Sequence, residues 1–561
     1  MVGGLAGAAA FDPVAARPLI ALAPVGCFVA ISLAPTPHGA LLRALVFGEL
    51  FYFGALHWLC TLYTFNYFAP LGIVLLAGYV ALYPALIGYA LRRWFRGASP
   101  VRRYLLFAAL WLLLEYFRTL GRLAVPLGQL GHAWATWSWA IQIASILGEM
   151  GVSLLVLAAA GWVLSLGWIW TERRRRGTEK PGAGEPTARP RNALVASSIV
   201  VLVLYSHCLG SAIAWRDRAR GAKAGDAPTS ELRVALLQPN VDQITKFLSY
   251  ASPNPEQRDD LSEQITGLQE SMLALRARPD WDLIILPESA FTQQDFAANT
   301  ALRERVGRMA QGAGADMFFG ANRDVPPPNA EVYNSAYLVR ENGAYDERAY
   351  DKTRLVPFGE YLPYFGLIPG LQEYVVGIGS FNEGREPTLF EASKPLGGEA
   401  RTWRFGALIC FESMFSAMTR AYSRKGADFL VVITNDAWYG LSAGPAHHHH
   451  LSRLRAVETR RWVLRCANTG ISSIIDPAGE VRHTLGLDKR GFVEGSIKLR
   501  PDQPTTLFAR FGHAWLFAPL VFCLWVFGRR FLGPRADGGP SDEVRREPFE
   551  QGQNRPKERL A

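Results

Sequence analysis

The chain has 561 residues, too many for one ordinary domain, and its 49% hydrophobic content and net charge of +10 average over two unlike regimes. Residues 1 to about 215 are strongly apolar, with charge confined to short runs, whereas 230–500 mix charge with alternating patterns. A purely soluble protein is excluded. So is a nucleic-acid binder, because the basic excess sits largely in short loops beside apolar stretches, where Lys and Arg anchor membrane helices on the cytoplasmic side.

A bilayer core ~30 Å thick needs roughly 20 apolar residues per helix. Spans are read at 14–34, 40–62, 69–91, 104–122, 147–170 and 193–213, with a last one at 511–528. No charged run precedes the first, so no cleavable signal peptide is read. Loop 92–103 carries Arg92, Arg93, Arg96, Arg102 and Arg103 without an acid. Loop 171–192 carries Arg173 to Arg176, and Arg529 and Arg530 follow the last span. These segments are expected in the cytoplasm, and the uncharged loop 63–68 outside. Glu115 and Arg118 are expected to pair at i,i+3 inside the bundle. This threading puts 230–500 outside the cytoplasm. It puts Met1 there too, so a further span upstream of this start is expected. The polar tail 534–561 is expected to be disordered and cytoplasmic.

The segment 230–500 opens on Leu232–Leu237, a buried-strand pattern ended by Pro239. A helix is predicted over 257–277, a strand over 282–286 and a helix over 300–311. Strands follow at 316–320, 335–340, 405–410 and 428–434, then a helix at 448–460 and strands near 462–467 and 471–476. Strands alternating with helices imply an α/β layered sandwich. Glu288, Cys410 and Asn435-Asp436 each fall at or just after the end of a buried strand, where α/β sheets collect catalytic groups.

Taken singly, Cys410 is a packed cysteine, Glu288 a helix-entry acid and Lys352 a surface lysine. In one segment bracketed by membrane spans, the three supply a base, a cation and a nucleophile for thiol acyl chemistry. Cys27, Cys60, Cys208 and Cys523 lie in spans, and only Cys410 and Cys466 lie in the soluble segment; no spacing suggests zinc or a disulfide framework. His447 to His450 cannot all face one ion from a helix, so a helix entry without metal is expected. The aromatic, Gly- and Pro-punctuated stretch 361–381 reads equally as loop packing or as an arm touching lipid.

The motifs Leu286-Pro287-Glu288-Ser289-Ala290, Lys352 ahead of Leu355-Val356-Pro357-Phe358-Gly359-Glu360-Tyr361, Ile409-Cys410-Phe411-Glu412 and Asn435-Asp436-Ala437-Trp438-Tyr439-Gly440 resemble those of the nitrilase (carbon–nitrogen hydrolase) superfamily. Within it, the chain is most similar to the apolipoprotein N-acyltransferase family over nearly its whole length. Phe411 stands where that family usually has tyrosine, and Lys246-Phe247 where it usually has tryptophan.

The resemblance implies an α-helical transmembrane bundle with an extracytoplasmic nitrilase-like domain, an α-β-β-α sandwich, in the bacterial inner membrane with its catalytic side periplasmic. It implies Glu288, Lys352 and Cys410 as the catalytic set and Glu360, Glu412 and Phe411 as their support. Trp438, Phe247, Asn435 and Tyr439 are implied at the substrate. The expected donor is a phospholipid and the expected acceptor a diacylglyceryl apolipoprotein, with no cofactor, in a monomer. A tethered amidase is the nearest alternative, but it would need at most one anchor. A non-catalytic scaffold should have lost a member of the set, and a transporter should carry paired charges within its spans.

Overall fold

In the computed structural model, residues 1–531 are described except 66, 68, 179–204, 206–209, 211–229, 277–279, 293–294, 327–330, 362–380, 397–398 and 500–502. All but Tyr205 and Gly210 of the span read at 193–213, the tail 534–561 and all but the ends of 361–381 therefore lie outside the described residues.

The apolar region begins with α1 (Val2–Ala8), α2 (Leu22–Ser32), α3 (Pro37–Leu56), α4 (Ala69–Trp94), α5 (Pro100–Phe117) and α6 (Glu149–Thr178). Among the described residues, four helices are long and apolar enough to cross a membrane: Pro37–Thr64, Ala69–Trp94, Glu149–Thr171 and Ala514–Phe531. The stretch read at 14–34 gives only the shorter apolar helix Arg17–Ser32, preceded by α1. The one read at 104–122 stops at Phe117. Just beyond it Arg118 turns inward, 3.6 Å from Glu115, with both side chains buried as expected. Glu115 also accepts from the Leu130 N–H at 2.8 Å, and the Arg118 guanidinium lies over the Tyr52 ring.

The second region is a sandwich of two six-stranded sheets. The first sheet contains β1 (Ser230–Gln238), β2 (Leu283–Ile285), β3 (Asp316–Val325), β4 (Glu331–Val339) and β5 (Tyr350–Asp351). The second contains β6 (Leu389–Leu396), β7 (Glu399–Ile409), β8 (Phe429–Thr434), β9 (Trp462–Ala467), β10 (Ser472–Ile475) and β11 (Val481–Leu485). The last strand, β12 (Gly491–Leu499), returns to the edge of the first sheet against β1. Each sheet has three parallel strands at its heart, β1-β2-β3 and β7-β8-β9. Helices α7 (Gln243–Ala251), α8 (Pro255–Ala274) and α9 (Thr300–Ala313) belong to the first half, and α10 (Ser416–Arg424) and α11 (Gly444–Thr459) to the second. The chain ends in α12 (Leu507–Phe511) and α13 (Phe517–Phe531).

The strand period of two sorts side chains to opposite faces. Val234, Leu236 and Ile285 meet Ala407, Ile409 and Ile433 between the sheets. Ala235, Leu237 and Ile284 face α8 and α9 with Met272, Leu302 and Val306. The outer face of the second sheet, with Leu430, Val432 and Val463, packs on Leu451, Leu454 and Val457 of α11, and this core runs on without a break into the membrane helices. One helical layer of the sandwich is thus shared with the membrane region, which places the ends of β7 and β8 beside the apolar bundle.

Candidate active site

Glu288 follows β2 in a tight turn at whose next residue, Ser289, φ is +47°. The turn nestles on β3: Ala290 N–H donates to Gly320 O at 2.7 Å, and a Cβ at Gly320 would meet Ser289 N at 2.8 Å and Glu288 Cα at 2.9 Å. Only glycine allows that approach. The carboxylate is buried and fully bonded. Its Oε1 accepts from Asn334 Nδ2 at 2.8 Å and faces Lys352 Nζ at 3.5 Å, and its Oε2 accepts from the Asn435 N–H at 2.8 Å.

Lys352 follows β5 and is 1% exposed. Its ammonium donates to Glu360 Oε1 at 2.7 Å, and Glu360 Oε2 is held by the Val356 N–H at 2.8 Å. Burial opposes this charge, but Glu360 and then Glu288 outweigh it and hold the ammonium above the usual lysine range. Lys352 is therefore a permanent cation here.

Cys410 ends β7 with φ of +53°, the left-handed region that costs a non-glycine residue strain. It opens a 3-10 turn, Cys410–Met414, in which the N–H of its second residue, Phe411, has no acceptor within the turn. Burial raises the thiol pKa, the Glu288 charge adds to this, and Lys352 pulls the other way. The resting group is a thiol facing a carboxylate, so the thiolate forms only as its proton leaves.

A second layer fixes this strained residue. His448, on α11, sets Nε2 2.8 Å from Ser413 Oγ and 3.1 Å from Cys410 O, and Nδ1 2.8 Å from Asp436 Oδ1. Asp436 Oδ2 accepts from Arg465 at 2.7 Å. Burial opposes the Asp436 charge, but Arg465 and His448 outweigh it and keep the carboxylate ionised. Glu412 accepts from Tyr350 OH, Thr353 N–H and Arg354 N–H at 2.7–3.1 Å with one oxygen, and from Ile409 N–H at 2.8 Å with the other. It ties the chain after Lys352 to the strand before Cys410, while Glu360 is the carboxylate that reaches the ammonium itself.

The expected substrate residues are placed unevenly. The Asn435 side chain is occupied by Gln243 and Asn468, and its backbone is what holds Glu288. The rings of Trp438 and Tyr439 stand against Phe65 and Trp58, each pair 4.9 Å apart. This makes an aromatic mouth between the two regions. Just past Tyr439 a cavity of about 580 Å³ opens, lined by Trp58, Tyr63, Leu441 and Asp12 among others. Phe247, half-buried, packs edge-on to Tyr250. Its neighbour Lys246 reaches inward instead, donating to Glu288 O at 2.7 Å from a site where burial, partly offset by Glu288, lowers its pKa to about 8.

The sequence reading missed Lys246, Asn334 and His448. Lys246 was passed over for the aromatic beside it, and Asn334 lies in an ordinary strand. The histidine run reads in sequence as a helix entry without metal. Its members splay apart: His447 and His450 toward Asp12, His448 under Cys410 and His449 to Ser473. The described ends of 361–381 meet at one point, Phe381 N–H donating to Glu360 O at 3.1 Å, and Tyr361 OH donates to Arg122 O at 2.6 Å.

The family described as "Carbon-nitrogen hydrolase" matches residues 233–501, and the one described as "Apolipoprotein N-acyltransferase N-terminal domain" matches 3–162. The apolipoprotein N-acyltransferase of Geobacter metallireducens is 32% identical over 495 residues, covering 86% of this chain and 85% of that protein. That of Bdellovibrio bacteriovorus is 27% identical, covering 70% and 67%. A solved amidase from Nesterenkonia sp. is 19% identical, covering 53% of this chain and 99% of that one, with a TM-score of 0.35.

Proposed function

The chain belongs to the apolipoprotein N-acyltransferase family, and on that premise we propose that it moves a fatty acyl chain from a membrane phospholipid to the N-terminal amine of a diacylglyceryl-cysteine protein. The observation that carries this reading is the convergence of Glu288, Lys352 and a strained Cys410 beneath an aromatic mouth built jointly with the membrane helices.

The reaction runs in two halves. Cys410 Sγ attacks the ester carbonyl carbon of the phospholipid as Glu288 takes the thiol proton. Negative charge develops on the carbonyl oxygen, where the Lys352 ammonium and the Phe411 N–H stabilise it; such a donor is worth roughly 3 kcal/mol. The C–O bond breaks, Glu288 returns the proton to the departing alkoxide, and a lysophospholipid leaves the acyl group as a thioester on Cys410. In the second half the amine of the acceptor attacks the thioester, Glu288 removes its proton, and the thiol departs with the amide formed. The kinetics are ping-pong. The apolar mouth keeps water from the thioester.

We take residues 230–500 as the catalytic domain, 1–215 and 511–528 as its membrane part, and the polar tail as cytoplasmic. The Arg-rich loops support a periplasmic catalytic side in a bacterial inner membrane, and we take the working unit to be a monomer. The test is intact mass after incubation with phospholipid, with and without a diacylglyceryl-cysteine peptide. A fatty-acyl adduct on Cys410 that passes to the peptide is expected. An adduct lost equally to water would make the protein a lipid hydrolase, and no adduct with any lipid would overturn the reading.

A further inference from the structure

The far end of the membrane bundle holds a second cavity that the proposed reaction leaves unused. Phe65, just ahead of α4, touches the catalytic domain at Trp438, and the 26 residues of α4 then run ~39 Å to Trp94. α13 runs the same way, from Trp515 bonded to Leu147 O near the catalytic domain to Phe531 against Trp94. Where these two ends meet the α4–α5 turn lies a space of about 540 Å³.

Its construction is specific. Trp94 and Phe95 stack edge-on with Phe527 at 5.9 and 4.9 Å, giving an aromatic wall made from segments far apart in the chain. Arg102, Arg529 and Arg530 line the opening. Arg530 is aligned by its Nε donating to Trp94 O at 3.2 Å. Among the described residues, none of these three arginines pairs with a carboxylate. The adjoining Arg92 and Arg103 each carry a buried Nε without a hydrogen-bond partner. These exposed arginines come from two separate segments, the start of α5 and the end of α13, and line one recess with no carboxylate paired to them among the described residues. Guanidinium groups lining one recess make it electropositive, and their forks match phosphate oxygens.

We propose that this cavity binds a phosphate-bearing anion, namely the headgroup of an anionic phospholipid in the leaflet opposite the catalytic domain. Bound there, the lipid staples the C-terminal helix to the α4–α5 turn. This lipid is not the acyl donor, since it sits a membrane's thickness from Cys410, and the proposal stands apart from the catalytic reading.

The test uses the full chain in a neutral detergent. Phosphatidylglycerol, phosphatidylcholine and inorganic phosphate are each added, and lipid retention by native mass spectrometry and thermal unfolding are followed. Phosphatidylglycerol should be retained and raise the unfolding temperature, while phosphatidylcholine does neither. Arg102→Gln/Arg529→Gln/Arg530→Gln together should lower phosphatidylglycerol affinity roughly a hundredfold, about fivefold per charge. Gly97→Asp is the milder control. A Cβ at Gly97 meets nothing within 4 Å, so this change adds only negative charge, and it too should weaken retention. Equal retention of both lipids, or a triple variant that folds and binds like wild type, would overturn the site. Inorganic phosphate matching the full effect would overturn its assignment to lipid.

Discussion

Among the described residues, one cluster of buried charge lies at Cys410 and another where the catalytic domain meets the membrane bundle. At that seam Arg455, fully buried on α11, is held between Glu149 at the start of α6 and Glu458 at 3.1 Å. Glu458 also accepts from the Glu149 N–H at 2.9 Å, and His132 lies 3.4 Å from Glu149. Flanking it, Arg460 donates to Gln142 at 2.7 Å and Arg453 to Ser138 at 2.8 Å. The seam pairs its acids with Arg455, which does not release a proton, but burial and then Glu149 push the Glu458 carboxyl up, so the seam holds a titratable proton of its own. The cluster at Cys410 sets a carboxylate against a lysine and a thiol. Neither buried charge nor a buried titratable proton therefore distinguishes chemistry from assembly; the path of a nucleophile's proton to a base does.

The largest effects should fall on that proton path. Cys410→Ala and Glu288→Gln should each lower acyl-enzyme formation by roughly 10⁴-fold or more, read by single-turnover mass spectrometry, with the unfolding temperature little changed. Either variant turning over at the wild-type rate would end the distinction between the clusters. Arg455→Met should do the reverse. Leaving Glu149 and Glu458 facing each other without their cation should cost about 3–5 kcal/mol of stability, while the rate per folded, titrated active site stays near wild type. A rate collapse in folded Arg455→Met would mean that the seam also sets the site.

How much of this was legible in sequence follows the same divide. That Glu288, Lys352 and Cys410 come together could be read because Glu288 and Cys410 follow buried strands and all three sit in short, ordered motifs, and the Glu115–Arg118 pair because an i,i+3 spacing is local. The seam could not. Arg455 and Glu149 are separated by most of the chain, and nothing local marks either as the other's partner. Lys246 and His448 escaped for a related reason: what they do is bond to backbone carbonyls, at Glu288 and Cys410, and a carbonyl leaves no trace in side-chain identity.

Lys246 offers a pH test. Burial, partly offset by Glu288, lowers its pKa from 10.5 to about 8 in the fold. Between pH 8 and 10.5 the unfolded chain then binds the proton more than the folded one does, so this residue adds stability as pH rises through that window. The gain should approach about 3 kcal/mol. The difference in unfolding free energy between wild type and Lys246→Met, followed from pH 7 to 10.5, isolates it; a flat difference would mean the amine is not desolvated. His448→Gln should act on rate. Losing the bridge from Asp436 to the Cys410 carbonyl frees the strained turn, and a misplacement of about 1 Å can cost roughly a hundredfold. That loss should appear in kcat and in the alkylation rate of Cys410 more than in KM.

The smallest effect should separate the two cysteines of the catalytic domain. Cys466 lies one residue short of the end of β9, unexposed between the sheets, with Sγ 3.2 Å from both Leu237 O and Ile285 O. Burial lifts its thiol pKa, as it does for Cys410. Yet its φ is not in the left-handed region, and the groups its thiol is bonded to are carbonyls, which take no proton from it. Cys466→Ala should therefore cost about 1 kcal/mol as a small cavity and leave the Cys410 adduct unchanged in yield and rate. If that adduct slowed tenfold or more, the packed thiol would belong to the reacting cluster, and a strained backbone beside a base would no longer be what separates a nucleophile from a core residue.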